Sequence, residues 1–312
     1  MIKFPKKTVG SMRTVIVGAG AMGCLFGFFL RRVGKDVWLF DTDKELIAHI
    51  QRKGIRVEGA SGTHRVPISA TNDCSEIEWA DLIIIFVKSY STSQAIHDVK
   101  SLVGRESVLL TLQNGIGNVE RITEVVAKKQ VIAGTTAHGA TSLGLGHIRH
   151  AGEGETLIGE LDGRRTVRLD TIRRLFESAG IIVQTTNDVT GILWSKLLVN
   201  AGINPLTAIT GLRNGQLLDF EETRNIMHRT VDEGMEIAAG KGISLVYADY
   251  RNKVDSVCVA TADNISSMLQ DLTKGKKTEV DFINGFIAKE EKGLTPINRT
   301  LTRLIHFIED HY

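Results

Sequence analysis

The segment from Val15 to Gly23 constrains the fold of this 312-residue chain more than any other. It reads VIVGAGAMG, a short apolar strand pattern that runs into Gly-x-Gly-x-x-Gly, with an apolar helix pattern directly behind it. In a strand–turn–helix unit, Gly18 permits the tight turn, Gly20 lets the backbone approach a pyrophosphate, and Gly23 lets the helix pack closely on the strand. The helix N-terminus also presents unpaired amides to the phosphates. The predicted phosphate loop comprises Gly18, Ala19, Gly20, Ala21, Met22 and Gly23.

A second apolar strand pattern, residues 37–40, ends in Asp41, 21 residues after Gly20. That is the expected place for a carboxylate that binds a ribose hydroxyl of a dinucleotide. The glycine pattern by itself would also fit a glycine-rich turn without a ligand. The preceding strand, the following helix and Asp41 together favour a dinucleotide site.

The first half of the chain alternates strand and helix patterns, and the second half is helical. Apolar runs at 80–87 and 107–112 are typical of parallel strands covered on both faces. Helical patterns fit 91–103 and 117–128, and the glycine-rich segment 137–163 predicts antiparallel strands that extend or close the sheet. The alternation predicts an α/β fold with an N-terminal Rossmann-type, doubly wound sheet and a second, all-helical C-terminal domain. We expect a tail at 1–11, a dinucleotide-binding domain at 12–187 and a helical substrate domain at 188–312.

Composition excludes several classes of protein. A net charge of +2 gives no reason to expect a nucleic acid partner, and no apolar run approaches the length of a membrane helix. Cys24, Cys74 and Cys258 are far apart, which argues against a zinc site and indicates a reducing compartment. We therefore expect a cytoplasmic protein with no metal and a small-molecule substrate, and the sequence leaves open whether two copies form a homodimer.

A predicted helix that begins near residue 187 carries the most suggestive polar residues. It is apolar almost all round, yet Lys196, Asn200 and Asn204 form one stripe at a spacing of four residues. A buried lysine is rare unless it is paired. Lys196 could pair with a carboxylate while the asparagines bridge helices, or the stripe could line a site for a polar small molecule. Because a proline disfavours helical geometry before it, Pro205 predicts that the helix ends or bends at Asn204.

Further polar residues follow predicted strands or lie in the helical half. Lys88 and Asn114 each follow an apolar strand, at the end where ligands bind in open α/β sheets. Each has a plainer interpretation as well. Asn114 with Gly115 could be a simple turn, Asn264 or Ser266 could cap a helix, and Glu279 could complement a helix dipole.

Taken together, these segments resemble the ketopantoate reductase (2-dehydropantoate 2-reductase) family over nearly the whole chain. The most specific parts lie in the helical half. They are WSKLLVNAGINPLTA (194–208), Asn214-Gly215, NISSMLQD (264–271) and GKKTEVDFING (275–285).

The resemblance implies a two-domain reductase that converts 2-dehydropantoate to (R)-pantoate with NADPH, on the route to pantothenate and coenzyme A. It makes Lys196 the general acid and Glu279 the active-site carboxylate. Lys88, Asn114 and Glu279 would contact the cofactor, and Asn114 the substrate as well. The other residues implied to hold the substrate are Asn200, Asn204, Asn214, Asn264 and Ser267.

Asp41 departs from the family pattern, which commonly places a basic residue where the 2′-phosphate of NADPH lies. A carboxylate accepts hydrogen bonds from a ribose hydroxyl and repels a phosphate. We therefore expect NADH to serve at least as well as NADPH. Two other functions stay open: a related reductase that acts on a different 2-keto acid, and a dinucleotide-binding redox sensor without catalytic activity.

Overall fold

The computed structural model describes residues 12–290 and 293–311, so the predicted tail at 1–11 lies outside the described residues. The chain divides into two compact units. Within the described residues, the first unit comprises 12–113 and 118–189, and the second comprises 114–117 and 190–311.

The first unit contains all the strands of the described chain. They are β1 (Arg13–Val17), β2 (Asp36–Phe40), β3 (Ile55–Gly59), β4 (His64–Val66), β5 (Ser69–Thr71), β6 (Ala80–Ile85), β7 (Val103–Thr111), β8 (Val131–Thr136), β9 (Gly139–Gly144), β10 (His147–Gly152), β11 (Thr156–Glu160) and β12 (Val183–Thr185). The helices of this unit are α1 (Ala21–Arg32), α2 (Lys44–Lys53), α3 (Thr92–Asp98), α4 (Asn118–Thr123) and α5 (Val167–Ser178).

Eight strands form the main sheet, in the order β12-β11-β8-β7-β6-β1-β2-β5. Every neighbouring pair is parallel except β8 with β11. The chain leaves β1 toward β2 on one side and returns to β6 on the other, so the strand order reverses between β1 and β6. In doubly wound sheets, ligands bind outside the carboxyl ends of the strands at this reversal. The predicted fold class is confirmed.

A second sheet of four strands, in the order β4-β3-β10-β9, also covers α1. Residues 137–163 do form antiparallel strands, and β11 extends the main sheet as predicted. The prediction is wrong for β9 and β10, because β10 pairs with β3 and not with the main sheet. Helix α1 explains the second sheet: its residues from Gly23 to Leu30 are all buried, and one sheet can cover only one face of a helix.

The second unit is a cluster of helices. They are α6 (Val189–Thr210, whose first residue belongs to the first unit), α7 (Glu221–Gly240), α8 (Tyr250–Ala260), α9 (Ser267–Thr273), α10 (Asn284–Glu290) and α11 (Pro296–His311). Their apolar faces meet in one core, which includes Trp194, Leu198, Met227, Val254 and Ile287. No helix of the described ranges has both the length and the apolarity needed to cross a bilayer.

Several predicted helices differ in their bounds. The patterns at 91–103 and 117–128 shorten to α3 and α4. The helical pattern at 278–291 predicts a helix that starts at residue 278. That start is wrong, because Ile283 has φ −111° and ψ −95° and α10 begins only after it. Of the two outcomes predicted at Asn204, an end of the helix is wrong, since α6 continues through Pro205 to Thr210.

Candidate active site

The three glycines after β1 occupy three different environments. A Cβ on Gly18, whose φ is +99°, would lie 2.8 Å from the Val87 amide nitrogen, and a Cβ on Gly23 would lie 1.8 Å from the Gly18 carbonyl oxygen. A Cβ on Gly20 would meet no heavy atom within 4 Å. Gly18 and Gly23 are therefore required by packing. Gly20 leaves open space at the N-terminus of α1, where a side chain would cover the backbone, and this space fits a pyrophosphate.

Asp41 is fixed beside this loop by two backbone amides. Its Oδ2 accepts a hydrogen bond from the Ala19 amide at 2.7 Å, and its Oδ1 accepts one from the Asp43 amide at 3.0 Å. Asp43 in turn caps α2 by accepting from the amides of Glu45 and Leu46. Since each carboxylate oxygen has a second lone pair, Asp41 retains acceptor capacity for a ribose hydroxyl.

The loops after β6 and β7 are tied together by a buried polar network that the sequence interpretation missed. The side-chain amide of Gln113 donates to the Val87 carbonyl at 2.8 Å and to the Thr92 hydroxyl at 2.8 Å. Thr92 donates to Asn118, which donates to the Ser89 hydroxyl at 3.1 Å. Lys88 follows Val87 directly, so this network fixes the backbone on both sides of Lys88. The one sign of this network in the sequence was a glutamine, Gln113, directly after an apolar strand pattern.

In the second unit, α6 presents the predicted polar stripe. Within the described segment 191–208, the partly exposed residues are Leu193, Lys196, Val199 and Asn200, and all the others are buried. These four lie on one side of the helix. Asn204 continues the stripe and is buried. The stripe is thus the one side of α6 that the helical core does not fully cover.

Lys196 is the chemically distinctive residue of that stripe. Burial lowers the pKa of its ammonium to about 8, and the negative charge of Glu279 opposes that shift. Glu279 is buried, on the turn just before residues Val280–Phe282. Both predicted catalytic residues therefore belong to one unit and interact electrostatically. A lysine with this pKa can give up a proton near neutral pH far more readily than an ordinary lysine.

Two of the predicted substrate residues, Asn204 and Ser267, lie near polar contacts that link elements of the same unit. The Thr207 hydroxyl, one turn beyond Asn204, donates to the Ser266 hydroxyl at 2.7 Å. Ser266 also accepts from the Leu269 amide and so caps α9, the plainer of its two interpretations. Ser267 is the first residue of α9 and is partly exposed. These contacts bring the end of the α6 stripe to the start of α9.

Asn214 and Asn264 meet each other through the backbone. The Asn214 amide nitrogen donates to the Asn264 carbonyl at 3.1 Å, and the Asn214 side chain donates to the Thr261 hydroxyl at 2.9 Å. The Oδ1 of Asn214 is buried, with no hydrogen-bond partner among the described residues. An acceptor in that condition is available to a donor on a bound ligand.

Asn114 belongs to the second unit although it follows strand β7 of the first. Its neighbour Gly115 has φ +77°, and the Ile116 amide donates to the Phe282 carbonyl at 3.0 Å. A Cβ on Gly115 would lie 2.6 Å from that same carbonyl oxygen. The loop of Asn114 therefore packs against Phe282, which follows Glu279 by three residues in the sequence. A simple turn would not need this contact.

Helix α6 has a further anchor that the sequence interpretation missed. The Ser195 hydroxyl donates to the Gly191 carbonyl and accepts from the Tyr250 hydroxyl at 2.5 Å and from the Val246 amide at 3.0 Å. Because Ser195 precedes Lys196, these bonds fix the rotation of α6 where the lysine emerges. The sequence shows only a serine on an apolar helix, so no spacing rule would have found this contact.

A glycine loop that fits a pyrophosphate in one unit, and in the other a lysine of lowered pKa on the same helix stripe as two asparagines, are typical of a Rossmann-type oxidoreductase. The comparisons with known proteins agree. The family description "Ketopantoate reductase PanE/ApbA" matches residues 14–163, and "Ketopantoate reductase PanE/ApbA C terminal" matches residues 188–309. The chain belongs to the ketopantoate reductase family, as the sequence resemblance predicted.

Individual relatives are similar over nearly their full lengths. The 2-dehydropantoate 2-reductase of Archaeoglobus fulgidus is 37% identical, with 95% of this chain and 98% of the relative covered. A PanE/ApbA family ketopantoate reductase from Ralstonia eutropha superposes with a TM-score of 0.88 at 33% identity, over 96% of this chain and 99% of that one. D-mandelate dehydrogenase, solved with NADH and anilino(oxo)acetate, superposes with a TM-score of 0.89 at 26% identity over 96% and 99%.

Proposed function

We propose that this protein reduces 2-dehydropantoate to (R)-pantoate in the formation of pantothenate and coenzyme A, with Lys196 as the proton donor. The observation that carries the proposal is the lysine itself: burial lowers its pKa to about 8, and the negative charge of Glu279 opposes that shift. Archaeoglobus fulgidus 2-dehydropantoate 2-reductase, 37% identical over 301 residues, supports the choice of substrate.

A bound nicotinamide dinucleotide supplies the hydride, and the residues of this chain do the rest. As negative charge develops on the ketone oxygen, the Lys196 ammonium stabilises it and then transfers a proton to it. Asn200 and Asn204 both donate and accept hydrogen bonds, which suits a substrate with a ketone and a hydroxyl group. Asn114, Asn214, Asn264 and Ser267 complete the proposed substrate site. For the dinucleotide, the proposal assigns Gly18, Ala19, Gly20, Ala21, Met22, Gly23, Asp41, Lys88, Asn114 and Glu279.

One observation favours a second candidate function, the reduction of a different 2-keto acid. D-mandelate dehydrogenase has the same fold at 26% identity, and its structure holds NADH with anilino(oxo)acetate. The same scaffold therefore accommodates an NADH-dependent enzyme of 2-hydroxy acids. The side chains around the reacting carbon determine which of the two substrates is reduced. Membership of the family does not determine it.

The substrate assignment is tested by turnover of a panel of 2-keto acids. We expect kcat/KM for 2-dehydropantoate to exceed that for pyruvate, 2-ketoisovalerate, ketoisocaproate and benzoylformate by at least about 100-fold, because a site built to bind a hydroxyl discriminates against analogues that lack it. The loss of reduced dinucleotide is the measurement. A preference for benzoylformate would favour the second candidate, and no turnover of any of them would contradict an enzymatic role on these substrates.

Asp41 predicts the choice of dinucleotide. We expect kcat/KM with NADH to equal or exceed that with NADPH, since the amides of Ala19 and Asp43 hold the Asp41 carboxylate in place and our proposal puts the 2′-phosphate of NADPH beside it. Two like charges at 4 Å repel by roughly 1 to 4 kcal/mol. Replacing Asp41 with Ser should therefore shift the ratio toward NADPH by about tenfold or more.

Asp162 provides a matched control for the cofactor experiment. It is an exposed carboxylate of the same unit, paired with Arg164 at 2.6 Å. Asp162→Asn makes the same change in net charge and should leave the NADH to NADPH ratio unchanged. A strong wild-type preference for NADPH, unaffected by Asp41→Ser, would contradict the proposed role of Asp41.

A further inference from the structure

Helix α6 contains a proline, Pro205, within a segment (201–208) whose residues are all buried. A proline has no backbone N–H, so Pro205 cannot donate to the carbonyl four residues earlier, which belongs to Ala201. Ala201 is completely buried, so water cannot take the place of that donor. A buried carbonyl left without a partner is costly, and the carbonyl of Ala201 must find a donor elsewhere.

Asn284 provides that donor from another helix. Its side-chain nitrogen donates to the Ala201 carbonyl at 3.0 Å and to the Asn298 Oδ1 at 3.0 Å. Asn284 is completely buried, and both of its partners are acceptors, so the amide can point in only one direction. Its two N–H bonds are thereby both used, one on each neighbour.

Asn298 connects this contact to a rigid support. Its own side-chain nitrogen donates to the Thr230 carbonyl at 3.0 Å and to the Glu233 carboxylate at 2.7 Å. Glu233 also accepts from the backbone amides of Ile297 and Asn298 at the start of α11. The donor for Ala201 is therefore held by hydrogen bonds that involve α7, α10 and α11.

The hydrogen bond from Asn284 to Ala201 matters because Ala201 is next in sequence to residues proposed to bind the substrate. Ala201 follows Asn200 directly and lies between Lys196 and Asn204 in sequence, but its side chain is in the helical core and not on the stripe assigned to the substrate. A proline bends a helix when the freed carbonyl turns away from the axis. The bond from Asn284 restrains the direction in which that carbonyl points.

We propose that Asn284 is a positioning residue for the reaction: its amide replaces the backbone donor that Pro205 lacks and sets the geometry of the Lys196, Asn200 and Asn204 stripe. The inference rests on the proposed function of that stripe. A positioning role differs from a role in stability alone. It depends on one hydrogen bond, from Asn284 to the Ala201 carbonyl, and a backbone N–H at residue 205 can replace that bond.

The test is a double-mutant cycle between Asn284→Leu and Pro205→Ala in the full-length protein, with kcat and KM for 2-dehydropantoate as readouts. We expect Asn284→Leu to lower kcat by about 100-fold, the scale of a small misplacement of reacting groups, with the dinucleotide Kd unchanged. Pro205→Ala restores an N–H for the Ala201 carbonyl. In that background the same Asn284→Leu change should cost less than about tenfold.

Asn298→Leu is the matched control. It removes the other hydrogen bond of Asn284 and the contacts to Glu233, and Pro205→Ala should not rescue it. If Asn284→Leu alone fails to fold, the double variant must yield folded, active protein. The inference would be overturned if neither the single variant nor the double variant folds. It would also be overturned if the fold-changes in kcat caused by Asn284→Leu and Pro205→Ala simply multiply in the double variant. Wild-type protein that turns over no 2-keto acid would instead refute the proposed function, and the positioning role with it.

Discussion

Replacing Lys196 with Ala should lower kcat for the keto acid by about 1,000-fold or more, because in the proposed mechanism one residue supplies both the proton and the stabilising charge. Dinucleotide binding should survive, with Kd changed by less than about threefold. Steady-state turnover and fluorescence titration of the dinucleotide measure the two effects separately. Lys253, which lies 4.2 Å above the Tyr247 ring on the surface of the same unit, offers a matched control as Lys253→Ala.

The pH dependence of the same reaction tests the acid directly. A general acid works while it is protonated, so kcat/KM should fall about tenfold per pH unit above the Lys196 pKa of about 8. Because Glu279 raises that pKa, Glu279→Gln should move this decline to lower pH. A protein whose function survives Lys196→Ala would instead be the redox sensor that the sequence left open.

Much of the first unit could be predicted because its signals are local. The glycine loop and the strand before it depend on residues adjacent in sequence, and Gly18 and Gly23 each occupy a backbone position that few other residues tolerate. The pairing of β10 with β3 was not predictable in this way, since the two strands are about 90 residues apart. The alternating pattern showed strands there but could not show which sheet they join.

The second unit shows the same division between local and distant signals. The stripe on α6 follows from helical spacing alone, and the structure leaves that side the least covered. Whether α6 ends or continues at Asn204 could not be decided from the sequence, because a donor 79 residues beyond Pro205, on Asn284, makes the proline tolerable. A proline predicts a missing hydrogen bond. Only the tertiary fold shows whether another residue replaces it.

Replacing Gly20 with Ala should abolish tight dinucleotide binding without unfolding the protein. The backbone of Gly20, at φ −69° and ψ −166°, suits any residue, and an added Cβ would meet no protein atom within 4 Å. The methyl group would instead fill the space proposed for the pyrophosphate. Losing two hydrogen bonds to a charged group costs about 3 to 6 kcal/mol, which corresponds to a Kd weakened by about 100-fold or more.

Calorimetric titration and thermal unfolding of the same samples separate binding from stability at Gly20. Gly240 is the matched control, since it is exposed at the end of α7 and its added Cβ would also meet no atom within 4 Å. Gly240→Ala should leave Kd unchanged and stabilise the helix slightly. Gly23→Ala should behave in the opposite way to Gly20→Ala: its Cβ would clash with the Gly18 carbonyl, so the unfolding temperature should fall. Unchanged dinucleotide affinity in a folded Gly20→Ala protein would show that the pyrophosphate does not approach the backbone at this residue, and the dinucleotide would then have to bind elsewhere.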